Sequence, residues 1–155
     1  MTATAKSIEL AEIAARAADE RKGEGIAVYD VSDVMAIADI FVVVSAGSDR
    51  QVRAVVEEIE DALTEAGIDP QRREGHRENR WVLLDYGQFV VHVQRVAERE
   101  FYGLDRLYAD CPLIEVEGID SFKRPGNYAD EVDIRSVGSI EDIPFAADGP
   151  AENEE

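Results

Sequence analysis

The sequence predicts an α/β fold, a mixed β-sheet with flanking helices. Three observations carry this. Ile40-Phe41-Val42-Val43-Val44 is apolar at successive positions, the pattern of a strand covered on both faces. Directly after it, Val52, Val55, Val56, Ile59, Leu63 and Ala66 recur at helical spacing. Further on, Trp81–Asp85 and Phe89–Gln94 are short runs of β-forming residues separated by Tyr86-Gly87, the pattern of a tight hairpin.

Taken in order, the first element is a helix, because Ile8, Ala11, Ala15 and Ala18 share one face and Ala14 and Ala17 widen it. Gly23 and Gly25 stop it. Ile26–Asp30 is a short strand and Ala38–Ser45 a second. Ser48, followed three residues later by Gln51, forms a capping box that opens the next helix. Gly67 at its C′ position, Ile68 beyond it and Pro70 close that helix. An extended piece around Arg72–Glu74 precedes the hairpin. A last helix is expected over 97–108, with Ala97, Phe101, Leu104 and Tyr108 on one face. Gly103 inside it costs about 1 kcal/mol relative to alanine, so packing must hold it.

Beyond Tyr108 the periodicity fades and Pro112, Pro125, Pro144 and Pro150 punctuate the chain. We therefore expect a folded domain over 1–110 and an acidic, largely disordered C-terminal tail over 111–155, with 146–155 disordered. The clusters Leu113, Ile114 and Val116, and Ile140, Ile143 and Phe145, are candidates to dock on the body or on a partner.

The chain has 155 residues and a formal net charge of −18. Residues 1–109 hold 21 acids and 13 bases, residues 110–155 hold 13 acids and 3 bases, so the last third carries more than half of the net charge. Binding to nucleic acid through phosphates needs a basic face, which argues against sequence-specific nucleic-acid recognition. An acidic surface favours basic protein partners and speeds their encounter. The single cysteine, Cys111, forms no intrachain disulfide and suits a reducing cytoplasm. No apolar run approaches the roughly 18 residues of a membrane helix, and no secretory signal pattern opens the chain.

The search for chemistry returns little. Gly23-Glu24-Gly25 leads from a helix into a strand, the wrong order for a phosphate-binding loop. Ala46-Gly47-Ser48 lies between a strand and a helix, but Ser48 already has a capping role. Nucleotidyltransferases use a Gly-Ser turn of this kind together with paired carboxylates on a nearby strand that hold magnesium. Here Asp30, Asp39 and Asp85 each lack such a partner on their own strand, so no cofactor or metal is expected. A magnesium-dependent nucleotidyltransferase-like enzyme, with a site assembled from scattered acids such as Asp39 and Asp85, is the alternative reading. His76 and His92 are too few for a zinc site with one cysteine. His92 alternates with Val91 and Val93, as a partly buried sheet residue would. Ser45, Ser48 and Cys111 act as nucleophiles only where a histidine approaches them. Arg72, Arg73, Arg77 and Arg80 are interleaved with Glu74 and Glu78, as in a solvated charged loop.

Trp81 is the one tryptophan. Trp81, Leu83 and Asp85 share one face of their strand, and Val82, Leu84 and Tyr86 the other. Tryptophan, tyrosine and arginine anchor interfaces, so Arg80, Trp81, Leu83, Asp85 and Tyr86 are the expected partner-binding residues. The competing role for Trp81 is in the core.

Several blocks resemble the ribosomal silencing factor (RsfS, or Iojap-like) family. They are Asp39-Ile40-Phe41-Val42-Val43, Ser48-Asp49-Arg50-Gln51-Val52, Glu74-Gly75, Trp81 to Gly87, Val90-Val91-His92-Val93, and Arg99 to Tyr108. They occur in the family's order and cover about residues 5–110. Where the family often has aspartate this chain has Gln88, and where it often has tryptophan this chain has Tyr108. The resemblance implies a nucleotidyltransferase-like fold without catalytic carboxylates. It also implies a cytoplasmic translational repressor that binds the large ribosomal subunit through ribosomal protein L-fourteen and blocks joining of the small subunit. Whether the chain forms a homodimer is left open.

Overall fold

The computed structural model describes residues 3–120 and 122. The Thr4 hydroxyl accepts the Ser7 N–H at 3.1 Å and starts α1, Ala5–Glu20. Ala11, Ala14, Ala15 and Ala18 are fully buried on this helix. Such small side chains let its backbone lie close against its neighbours, α2 and the sheet.

Helix α2, Asp49–Glu65, begins as the sequence predicts, with the Ser48 hydroxyl accepting the Gln51 N–H at 3.1 Å. The reciprocal half of a capping box is replaced: the Gln51 side-chain amide donates to the Arg21 carbonyl and ties α2 to the end of α1. At the other end, Gly67 has φ +98°. Its N–H donates to the Thr64 carbonyl, and the Ile68 N–H donates to the Leu63 carbonyl, both at 3.0 Å. That is a complete Schellman closure, and Ile68 packs on the core behind it.

The five strands are β1 (Glu24–Asp30), β2 (Ile40–Ala46), β3 (Arg72–Glu74), β4 (Trp81–Asp85) and β5 (Phe89–Arg95), in the order β1-β2-β5-β4-β3. The central β2–β5 pair is parallel and the other pairings are antiparallel. Every residue of β2 is buried, as its unbroken apolar run requires. Ile40, Val42, Val44, Val82, Leu84, Val91 and Val93 face α1 and α2. On the opposite face Phe41, Val43, Trp81, Leu83 and Val90 lie under Met35, Leu104, Leu107, Tyr108 and Cys111.

The C-terminal part departs from expectation at the last helix. The helix expected over 97–108 is broken. α3 spans Val96–Tyr102 and α4 spans Leu104–Leu107, with Gly103 between them in the left-handed conformation at φ +66°. The face buried by α3 is polar, Glu98 and Arg99, while Phe101 is 53% exposed. Past residue 110 the chain continues along the body. The Asp30 N–H donates to the Pro112 carbonyl at 2.9 Å, and the Ile114 N–H donates to the Val28 carbonyl at 2.7 Å. Leu113 bridges to Tyr29 and Val116 is buried. The cluster Leu113, Ile114 and Val116 thus docks on the body, against the outer edge of β1. Ile140, Ile143, Phe145 and the stretch 146–155 lie outside the described residues.

Candidate partner-binding site

The residues expected to meet a partner divide sharply. Trp81 is fully buried, Leu83 is 2% exposed and Tyr86 is 3% exposed. Arg80 and Asp85 are half-buried. The face of β4 that carries Trp81 and Leu83 is covered by the elements after β5. Trp81 donates its indole N–H to His92 Nδ1 at 3.0 Å and packs on Tyr102, with ring centroids 4.6 Å apart. It has the core role that the sequence left as its competitor. Tyr86 stacks on Phe89 at 4.8 Å, nearly parallel, and the Asp85 carboxylate accepts the Gly87 N–H at 2.8 Å. Gly87 itself has φ +88°, so the hairpin turn uses both a glycine and a carboxylate.

Glu74-Gly75 has a physical reason to be there. Gly75 has φ +79°, and a Cβ on it would collide with the Trp81 carbonyl oxygen. The loop before β4 passes too close to Trp81 for any side chain.

His92 is fully buried and touches the Phe41 ring at 4.7 Å. Since Nδ1 accepts from Trp81, the ring proton sits on Nε2, which has no hydrogen-bond partner among the described residues. Burial pushes its pKa down to about 3, against the opposing Asp105 charge. The folded protein thus holds His92 neutral, while the unfolded chain protonates it near pH 6.5. The sign follows: His92 costs nothing above about pH 6.5 and removes stability as pH falls below it, by about 1.4 kcal/mol per pH unit. Urea denaturation from pH 7 to 5 should show this slope, and His92→Gln should flatten it. An equal slope in that variant would assign the acid sensitivity elsewhere.

The polar centre that the sequence did not disclose is built on Arg99. Its Nε and Nη2 donate to the two Asp105 oxygens at 2.8 and 3.1 Å, and both residues are buried. Nη1 donates to the Ser45 hydroxyl at 2.8 Å. The Tyr29 hydroxyl donates to Asp105 at 2.6 Å, and the Phe122 ring lies 4.5 Å from the guanidinium carbon. Gly25, with φ +57°, leaves the space this guanidinium occupies. Beside it, Arg95 donates to both Glu98 oxygens at 3.0 Å and to Asp49 at 3.1 Å, joining the starts of α2 and α3.

The scattered acids are otherwise engaged. Asp30 accepts the Ala3 N–H, and the Ser32 N–H and hydroxyl. Asp39 accepts from the Thr4 N–H and the Ser7 hydroxyl. Among the described residues no three metal-binding side chains converge. Ser45 serves Arg99 and Ser48 caps α2. No helix among the described residues is long and apolar enough to cross a membrane.

A mixed five-stranded sheet with helices held on it by buried polar groups defines an α/β protein. The same class of fold is found in two solved proteins. A crystal structure from Bacillus halodurans superposes with a TM-score of 0.62 at 34% identity, covering 70% of this chain and 99% of that one. An X-ray structure from Chromobacterium violaceum gives 0.65 at 31% identity, covering 76% and 96%. In sequence, the family model for the ribosomal silencing factor during starvation, RsfS, matches residues 4–139. The ribosomal silencing factor of Bacillus subtilis is 41% identical over 106 residues, 68% of this chain and 90% of that protein. The one from Halalkalibacterium halodurans is 38% identical over 113 residues, 73% and 97%. The chloroplastic protein Iojap of Zea mays is 30% identical over 112 residues, 72% of this chain and 49% of that protein.

The chain belongs to the ribosomal silencing factor family. It is a ribosome-associated silencer of translation, a regulator and not an enzyme. The family match runs past residue 110.

Proposed function

We propose that this protein acts in the cytoplasm by binding the large ribosomal subunit through ribosomal protein L-fourteen and blocking the small subunit from joining. The observation that carries the reading is the family match over residues 4–139. The net charge of −18 supports it, since an acidic factor meets a basic ribosomal protein with favourable long-range attraction. The mechanism is steric competition, so silencing follows the concentration of the factor relative to its dissociation constant.

Mixing purified subunits with increasing factor tests this. Subunit joining, followed by light scattering, should fall as large subunits become occupied. Binding to L-fourteen should also associate more slowly as ionic strength rises, while dissociation changes less. Unimpaired joining at saturating factor overturns the reading. An association rate indifferent to salt removes electrostatic steering from it.

A further inference from the structure

The two faces of the sheet are covered differently. On the side of α1 and α2 the buried residues of β2, β4 and β5 are all apolar. Under α3 they are not. The registers of β2 with β5 and of β4 with β5 set Ser45, Gln94 and Trp81 side by side on the other face. Arg99 donates to Ser45, and Tyr102, one turn further along α3, packs on Trp81. Gln94 therefore lies beneath α3, between these two contacts. It is fully buried, and neither its amide nitrogen nor its carbonyl oxygen has a hydrogen-bond partner among the described residues. On the same face of β5, His92 Nε2 is in the same condition. A closed α3 thus keeps an amide from water without replacing its hydrogen bonds. That costs free energy which an open α3 recovers.

Polar ties oppose that release: Arg95 donates to Glu98, and Arg99 to Asp105 and Ser45. A further hold comes from far along the chain. The Phe122 ring lies 4.5 Å from the Arg99 guanidinium carbon, a cation–π contact. Phe122 closes the stretch that runs back along β1, where Pro112 and Ile114 bond to Asp30 and Val28 and Val116 is buried. Gly25 admits this arrangement, since a Cβ there would stand 2.9 Å from Arg99 Nη1 and 3.3 Å from the Phe122 ring. At the far end of α3, Gly103 has φ +66°. Beyond it α4 is anchored separately, by Leu104 and Leu107 in the apolar cluster.

We propose that α3 is a latch that opens on its own, driven by the buried Gln94 amide and held shut by Phe122 of the C-terminal strap. Opening turns α3 about Gly103 and carries Arg99 and Tyr102 away from Ser45 and Trp81. Water then reaches Gln94 and His92 while β2, β5, α1 and α2 stay folded. Elements held through polar contacts open in this way at a lower free energy than the apolar core beside them. Gln94 and Phe122 act in opposite directions, so substitutions at the two positions have effects of opposite sign. The device belongs to the fold and is independent of which ribosomal surface the protein meets.

Native-state hydrogen exchange on the full chain, read by mass spectrometry, tests this. The peptide over 96–103 is compared with one from β2, which reports global unfolding. In the parent, α3 amides should be protected at least about a hundredfold less than those of β2. Ile59→Val, in the core on the α2 side, should speed exchange in β2 and leave α3 unchanged, because that contact survives when α3 opens. Gln94→Leu should slow α3 by about tenfold, since no buried amide is left to hydrate. Phe122→Ala should speed α3 by about tenfold, and Phe122→Tyr, which keeps the ring, should hold the parent rate. Equal protection of α3 and β2 overturns the proposal, as does an Ile59→Val variant in which both speed up together. Faster α3 exchange in Gln94→Leu would show the amide to be hydrogen-bonded in solution, and a parent rate in Phe122→Ala would show the strap to hold nothing. Either result also overturns it.

Discussion

Trp81→Ala should lower the free energy of unfolding by about 3–5 kcal/mol, enough to remove much of a small domain's stability. The indole is fully buried, bonded to His92 and packed on Tyr102. Truncation leaves a cavity, and it deprives the fully buried His92 Nδ1 acceptor of the indole donor. Urea denaturation measures the loss directly, with Arg80→Ala as a half-buried neighbour expected to change stability little. If Trp81→Ala kept the parent's midpoint and lost ribosome binding alone, the indole would be an anchor after all.

A loss of similar size is expected for Arg99→Ala, about 3–5 kcal/mol, because it strands Asp105 as a buried charge with the Tyr29 hydroxyl as its remaining side-chain donor among the described residues. Asp105→Asn should be damaging for the converse reason. The double variant Arg99→Met/Asp105→Leu should lose less than the sum of the two single changes, since no uncompensated charge remains. Strict additivity in that cycle would show that the ion pair does not act as a unit. The exposed Arg53–Glu57 pair on α2 provides the contrast, and Arg53→Ala should have almost no effect on unfolding.

These two sites differ in how far the sequence discloses them. The element order through β5 is legible, because β2 announces itself by an unbroken apolar run and α2 by Ser48, Gly67 and its stripe. The partition of β4 between two faces is also legible from alternation, and the structure keeps Trp81 and Leu83 on one side and Val82 and Leu84 on the other. What alternation cannot say is whether a face is covered. That depends on Leu104, Leu107, Tyr108 and Cys111, which arrive later in the chain and fold back over it.

The Arg99–Asp105 pair was hidden for a geometric reason. Six residues apart on a continuous helix, the two side chains point to different sides of the cylinder. Only the left-handed step at Gly103 turns α4 so that Asp105 returns to Arg99. A glycine tolerated within one helix and a glycine that joins two helices look alike in a sequence. The polar underside of α3 was the available signal, with Arg95, Glu98 and Arg99 too regularly placed for a helix expected to bury Phe101.

The edges of the sheet constrain what kind of recognition is open to this protein. At one end β3 is three residues long and carries Arg72, Arg73 and Glu74; at the other, the backbone of Pro112–Ile114 occupies the flank of β1. A visiting chain finds little free main chain to extend the sheet, which disfavours strand addition. Strand addition reads main-chain groups that every polypeptide shares, and it tolerates many sequences. A factor that relies little on that mode discriminates mainly by side chains, and its selectivity then rests on substitutable positions. Such a surface can diverge together with its partner from one lineage to another while the sheet beneath it stays the same.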